Sequence, residues 1–286
     1  MIVHLIATSM LLLAITAQAS APTSQPTYIL DFSTQPDPAL QSQLEKIDTD
    51  LRARFDMTTA QTAVGLLDLR TMHLAMIHPD RIEYAASVAK IGILLTYFHD
   101  HPDVAQLDAT TRHDLGLMVK ASSNEMAARF SNQLGLKHIQ DVLNENGFYD
   151  KDHGGGIWVG KHYGKSPERY PDPVGGHSHA ATVRQLLRFY LLLDQGKLIS
   201  PAASEAMKQI FASPDIPHDD IKFVKALTVR DLTILRKWGS WENWFHDTAL
   251  ITGPNRRYIL VALTNHPKGD PYLESLAVAV DDLLSR

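Results

Sequence analysis

The sequence contains no cysteine. Disulfides, thiol catalysis, cysteine-held zinc and anchoring through a lipidated cysteine are therefore excluded. Nor is there an excess of basic residues: 27 Lys and Arg stand against 32 Asp and Glu, for a net charge of −5. The pI near 6.3 agrees, and nucleic acid is not an expected partner. No G-x-S-x-G pentapeptide occurs, so the run His153-Gly154-Gly155-Gly156 reads as glycines that let a loop turn, not as part of a hydrolase elbow. No H-E-x-x-H occurs either. The 14 histidines are scattered, and His177 and His179 flank Ser178 without an obvious third ligand, so neither a metal nor any other cofactor is expected. Past the first residues, no apolar run is long enough to cross a membrane, and no stable membrane insertion is expected.

What is present is a balanced composition, 44% apolar and 21% charged over 286 residues, enough for one large domain with a real core. Residues 1–19 read as a signal peptide. An apolar run from Leu5 to Ile15 ends at the small-x-small site Ala17-Gln18-Ala19. Its opening residues lack Lys and Arg, so an uncleaved anchor or a wrong start codon is the alternative. The expected location is the periplasm or the exterior. Residues 20–37, rich in Ser, Thr, Pro and Gln, read as a loose leader.

Leu40, Leu44, Ile47 and Leu51 recur at helical spacing. Residues 62–69, TAVGLLDL, and the following MHLAMIH suggest a hairpin. A buried helix follows, apolar nearly all round, and helical patterning continues to residue 148. Residues 149–178 are dense in Gly, Pro and charge and read as a long loop. Two helices follow, one ending at Gly196 and one starting at Pro201. Strands HDTALITG and RRYILVALTNH meet at Gly253-Pro254-Asn255, and Leu273, Leu276, Ala277, Val280, Leu283 and Leu284 mark a terminal helix. The fold class expected is α+β: one antiparallel sheet flanked by the terminal helices, plus an all-helical lobe. The single domain spans 38–286, with an α/β lobe (38–86 and 214–286) and a helical lobe (87–213). Ligands are expected in the cleft between the lobes.

Ser87 and Lys90 stand three apart in YAASVAK, where a strand-like stretch turns helical. Positions i and i+3 share a helical face, so hydroxyl and amine can meet. Burial disfavours a charged amine, and a neutral lysine can take the proton of a serine nucleophile. The Ser87 N–H, free in the first turn, is aimed where an oxyanion could form. A capping serine beside a snorkelling lysine would look the same in sequence.

Two further stretches bear on the choice. KASSNEMA supplies Ser122-Ser123-Asn124, and ILRKWGSW supplies Lys237-Trp238-Gly239 just before an expected strand. In order, the three resemble the S-x-x-K, S-D-N and K-T-G signatures of class A β-lactamases and penicillin-binding proteins. Residues 38–286 are similar to that superfamily throughout, most of all to its divergent β-lactamase-like serine hydrolase branch. The resemblance implies that Ser87 is acylated and that Lys90 is its base or proton relay. It implies that Ser122 passes a proton to the leaving nitrogen and that Asn124 holds the substrate amide. Lys237 would supply positive potential, and the N–H of Ser240, after Gly239, would join that of Ser87 in the oxyanion hole. Three departures stand out: Ser123 replaces the aspartate, Trp238 replaces a hydroxyl that grips a substrate carboxylate, and the 35 positions from Ser87 to Ser122 are few. The family's deacylating carboxylate lies in its omega loop; here Glu168 is the leading candidate and Asp172 the second. Trp238, Trp241, Trp244 and Phe245 line the cleft or simply pack.

The function expected is a serine acyl-hydrolase of β-lactamase type, monomeric, acting on a β-lactam, peptide or ester. A D,D-peptidase, an esterase or a non-hydrolytic penicillin-binding sensor is the alternative. The intact Ser-Lys, Ser-Asn and Lys-Gly positions speak against the sensor, because a dead relative has no chemical reason to keep them all.

Overall fold

The computed structural model describes residues 28–285. The expected signal peptide lies outside the described residues. Of the supposed loose leader, residues 28–37 lie on the body: Leu30 is buried, and the Asp37 N–H donates to Leu74 O.

The chain begins its regular structure where the sequence places a stop on extended backbone. Asp37 caps α1 (Pro38–Phe55) by accepting from the Leu40 N–H, and Pro38 opens the helix with the φ it already has. The order then runs β1 (Thr62–Asp68), β2 (His73–Ile77), β3 (Glu83–Tyr84), a 3₁₀ turn (Ala86–Ala89), α2 (Lys90–Asp100), α3 (Ala109–Val119), α4 (Asn124–Leu134) and α5 (Leu136–Glu145). Short strands follow, β4 (Tyr149–Asp150), β5 (Gly155–Gly156), β6 (Trp158–Val159) and β7 (His179–Ala181). The chain closes with α6 (Val183–Asp194), α7 (Pro201–Ala212), α8 (Lys222–Leu227), β8 (Thr233–Trp241), β9 (Trp244–Gly253), β10 (Arg256–Asn265) and α9 (Gly269–Leu284). Among the described residues, no helix is long and apolar enough to cross a membrane.

The main sheet has the order β2-β1-β10-β9-β8, all antiparallel. It joins the strands from both ends of the chain, as their apolar runs suggested. Alternation along β10 explains how one sheet serves two cores. Tyr258, Leu260 and Ala262 face α1, α8 and α9, while Ile259, Val261 and Leu263 face the helices of the middle of the chain. Burial on both faces also explains why β1 reads as a continuous apolar run rather than an alternating one.

The second face of the sheet is covered directly by α6, whose Val183, Leu186 and Leu187 are fully buried and whose Tyr190 hydroxyl donates to Thr248 O. One hydrophobic cluster runs from β1, β8, β9 and β10 through α6 into α2, α3, α4, α5 and α7. The two expected lobes therefore share a core. The expected loop 149–178 is more regular than its composition suggests. The glycine run turns between β4 and β5, with Gly154 at φ +86 and too close to Asp80 O to carry a Cβ. β6 and β7 join β3 in a small sheet beside the turn that carries Ser87.

Candidate active site

Ser87 sits in the 3₁₀ turn between β3 and α2, half-buried, with Lys90 as the first residue of α2. Side chains three apart on a 3₁₀ turn eclipse one another, so this geometry aligns Ser87 and Lys90. The preceding residue, Ala86, has φ +46, a conformation a non-glycine residue adopts only under constraint. Two contacts supply it. The Tyr163 hydroxyl donates to Ala86 O at 3.0 Å, and the Ala85 N–H donates to His179 O at 2.9 Å.

Lys90 is 0% exposed, and burial pushes its pKa down from 10.5 to about 7. Its amine donates to Ser122 O and, at 2.8 Å, to Asn124 Oδ1, and it lies 3.4 Å from Ser122 Oγ. The Tyr163 ring centroid stands 4.6 Å from Nζ. From the other side, Lys237 donates to Ser122 Oγ at 2.8 Å and to Trp238 O at 2.7 Å. Lys237 is also fully buried, and desolvation, then the charges of Lys90 and Arg236, hold its pKa well below the usual lysine value. Two amines thus converge on one hydroxyl. A neutral Lys90 gives its two hydrogens to Ser122 O and Asn124 Oδ1 and keeps a lone pair for a proton.

The loop that brings Ser122 here is shaped by its neighbours. Ser122 takes φ +57, and Ser123 caps α4 by accepting from the Met126 N–H at 3.2 Å. Ser and Asp are comparable helix caps, so the missing aspartate of the second signature leaves the local fold intact. Asn124 then opens α4 with its amide oxygen on Lys90.

The third signature lies within β8, not before it. β8 is the edge strand, and it packs against the turn that carries Ser87. A Cβ at Gly239 would stand 2.8 Å from Ser87 N and 3.0 Å from Ala85 O, so only glycine allows this approach. Beneath the strand, Arg236 binds both oxygens of Asp247, both residues buried. Sequence reasoning missed Lys222. Fully buried at the start of α8, it donates to Gly239 O at 2.9 Å and Ser240 Oγ at 2.6 Å. Its Nζ lies 4.7 Å from the Trp238 ring, and burial lowers its pKa to about 8. Trp238 is thus packed between Lys222 and Lys237. Nothing in the polar stretch around Lys222 signals this role.

Among the described residues, no hydrogen bond or ion pair of the two loop carboxylates reaches this cluster. Glu168 is half-exposed; its oxygens meet His162 Nε2 at 3.2 Å and the Tyr170 hydroxyl at 2.9 Å. Asp172 is buried and accepts from the N–H groups of Val174, Gly175 and His177 and from the Tyr149 hydroxyl, which latches the loop. Tyr163, also missed from sequence, is the loop side chain that reaches Lys90. It stacks on His179 at 4.3 Å, whose pKa burial lowers to about 4. At the end of β3 that leads into the Ser87 turn, a cavity of about 360 Å³ is lined by Tyr84, Lys161, Arg169, His177, Trp241 and Trp244. Of the expected aromatic cluster, then, Trp241 and Trp244 line a cleft while Phe245 packs against α9.

A family model described as "Beta-lactamase enzyme family" matches residues 106–282, a span that holds the second and third signatures and begins after Lys90. No curated protein sequence matches the chain. Among solved structures, a β-lactamase from Sphaerobacter thermophilus is 15% identical with a TM-score of 0.66, covering 84% of this chain and 95% of its own. The structure of PBP-A is 18% identical with a TM-score of 0.63, covering 87% of this chain and 97% of that one. An ancestral class A β-lactamase is 17% identical with a TM-score of 0.67, covering 84% and 99%. At these identities the likeness establishes the fold.

Proposed function

Because the chain belongs to the beta-lactamase enzyme family, we propose that it is a serine acyl-hydrolase in which Ser87 forms an ester with its substrate. The observation that carries this reading is the convergence of Lys90 and Lys237 on Ser122 beside the Ser87 turn. Ser87 Oγ adds to the substrate carbonyl, and its proton passes to the Lys90 lone pair. The oxyanion is met by the N–H groups of Ser87 and Ser240, each such donor being worth about 3 kcal/mol. The C–N or C–O bond then breaks, and Ser122 gives its proton to the leaving atom while Lys90 or Lys237 replaces it. Asn124 orients the substrate amide. Lys222 holds Gly239 and Ser240, and thereby the second oxyanion donor, in place.

Release of the acyl group requires a base for water, and the family's base is a loop carboxylate. Glu168 is the residue offered by sequence position, yet it is engaged by His162 and Tyr170. Tyr163 occupies the loop's approach to Lys90. We therefore read the enzyme as fast to acylate and slow to deacylate, nearer to a penicillin-binding protein than to a resistance enzyme. One solved relative of this fold is described as an acyl-enzyme complex of a PBP-A variant with penicillin G. Trp238 offers no hydroxyl for a substrate carboxylate, and the charge of Lys237 is opposed by burial. Activated esters should therefore acylate Ser87 faster than penicillins. Intact-mass measurement after exposure to both tests the assignment. An adduct that forms on the wild type and not on Ser87→Ala supports it; an adduct that persists in Ser87→Ala refutes it.

A further inference from the structure

At the end of α2 farthest from Ser87, three metal-binding side chains meet. His99 and Asp100 close α2, and His138 projects from the first turn of α5. His138 Nε2 lies 2.9 Å from Asp100 Oδ1, and His99 Nδ1 lies 3.1 Å from the same oxygen. The ligand atoms of the three residues lie within 4.8 Å of one another. Ligands at the roughly 2.0–2.2 Å that zinc requires stand about 3.4 Å apart around a tetrahedral ion, so the two short pairs need open by only about half an ångström to admit one.

Two further observations point to a cation. Asp100 is the last residue of α2, so its carboxylate adds negative charge to the negative end of the helix dipole, where a cation is favoured. In addition, the outer nitrogen of His99 faces a second carboxylate: Nε2 is 3.9 Å from Glu145 Oε2. A carboxylate behind a ligating imidazole fixes its tautomer and raises its basicity. Glu145 lies seven residues after His138, so both project from one face of α5.

We propose that His99, Asp100 and His138 bind a divalent ion of the zinc class, with Glu145 behind His99, and that the ion clamps the end of α2 to α5. Two imidazoles and one carboxylate select a borderline first-row ion over calcium or magnesium, which demand oxygen. The side chains are 35%, 26% and 45% exposed, which leaves the remaining coordination positions to water. The site is independent of the chemistry at Ser87.

The test is calorimetric titration of tag-free, chelator-stripped protein with zinc chloride, and with calcium and magnesium chloride as counter-probes. One zinc per chain is expected, at least tenfold weaker in His138→Ala and absent from His99→Ala/His138→Ala. Zinc should raise the unfolding temperature of the wild type and not that of the double variant. Equal affinity in the double variant would assign the zinc to other histidines and overturn the proposal, as would no zinc binding or equally tight calcium. A second measurement needs no variant. Zinc added to the wild type should shift the ring resonances of His99 and His138 ahead of those of the other histidines, and a shift confined to others refutes the site.

Discussion

The rate of Ser87 acylation should follow the deprotonation of Lys90. Burial lowers the pKa of its amine from 10.5 to about 7, and the proposed mechanism needs the lone pair of the neutral form to accept the Ser87 proton. A group with that pKa is about a tenth neutral at pH 6, half at pH 7 and nine-tenths at pH 8. The acylation rate should therefore rise about fivefold from pH 6 to 7, and less than twofold from 7 to 8. The assay is the pre-steady-state burst with an activated ester, corrected for its spontaneous hydrolysis. Lys90→Arg, which cannot deprotonate, should show no burst at any of these pH values. The same titration appears in stability. The fall from 10.5 to about 7 corresponds to roughly 5 kcal/mol against the charged form in the folded state. Between those two values the unfolded chain holds a proton that the folded chain lacks, so stability rises with pH across this window. Below about 7 the full cost is present. Lys222 and Lys237, also lowered, act with the same sign. The urea midpoint should climb from pH 7 to 9.5, and less steeply in Lys90→Met. A burst rate that stays flat from pH 6 to 8, or a normal burst in Lys90→Arg, would remove Lys90 from the proton path.

Gly239→Ala should lose about 1–3 kcal/mol of stability and about a hundredfold in acylation rate, since its methyl group presses on Ser87 N and moves the edge strand; urea unfolding and burst kinetics check both halves. Tyr163→Phe removes the bond to Ala86 O and should cost about 1 kcal/mol in urea unfolding, with slower acylation and an unchanged substrate preference. Glu168→Gln should leave the acylation rate and the acyl-enzyme lifetime within about twofold of wild type, as read by single-turnover mass spectrometry; a strongly lengthened lifetime would restore Glu168 as the base that activates water.

Much of this architecture was legible because the strongest sequence signals are periodic. β1, β2, β9, β10, α1 and α9 follow directly from apolar spacing, and the three stretches singled out by their motifs meet in space, with Lys90 and Lys237 both at Ser122. β8 was blurred because Arg236 and Lys237, both buried, interrupt its apolar pattern. Their burial is made possible by Asp247 and Ser122, partners from other elements that no local window contains. Lys222 and Tyr163 were invisible for the same reason: each acts on a backbone oxygen far away in the chain, at Gly239 and Ala86. Asp172 stands between Pro171 and Pro173, but its four hydrogen bonds emerge only once the loop has closed.

The single apolar cluster that runs from the main sheet through α6 into the surrounding helices bears on how this enzyme handles its substrate. Walls built on one continuous core cannot swing apart about a hinge without opening that core to water. Admission and exit must then occur through side-chain and loop adjustments at the rim, around Arg169, Trp241 and Glu242, rather than by closure of one half over the other. Such an enzyme selects by the fit of a standing crevice, and its turnover should be nearly indifferent to solvent viscosity. Substrate range would then change through substitutions at that rim, with Lys90, Ser122 and Lys237, none of which lines it, left untouched.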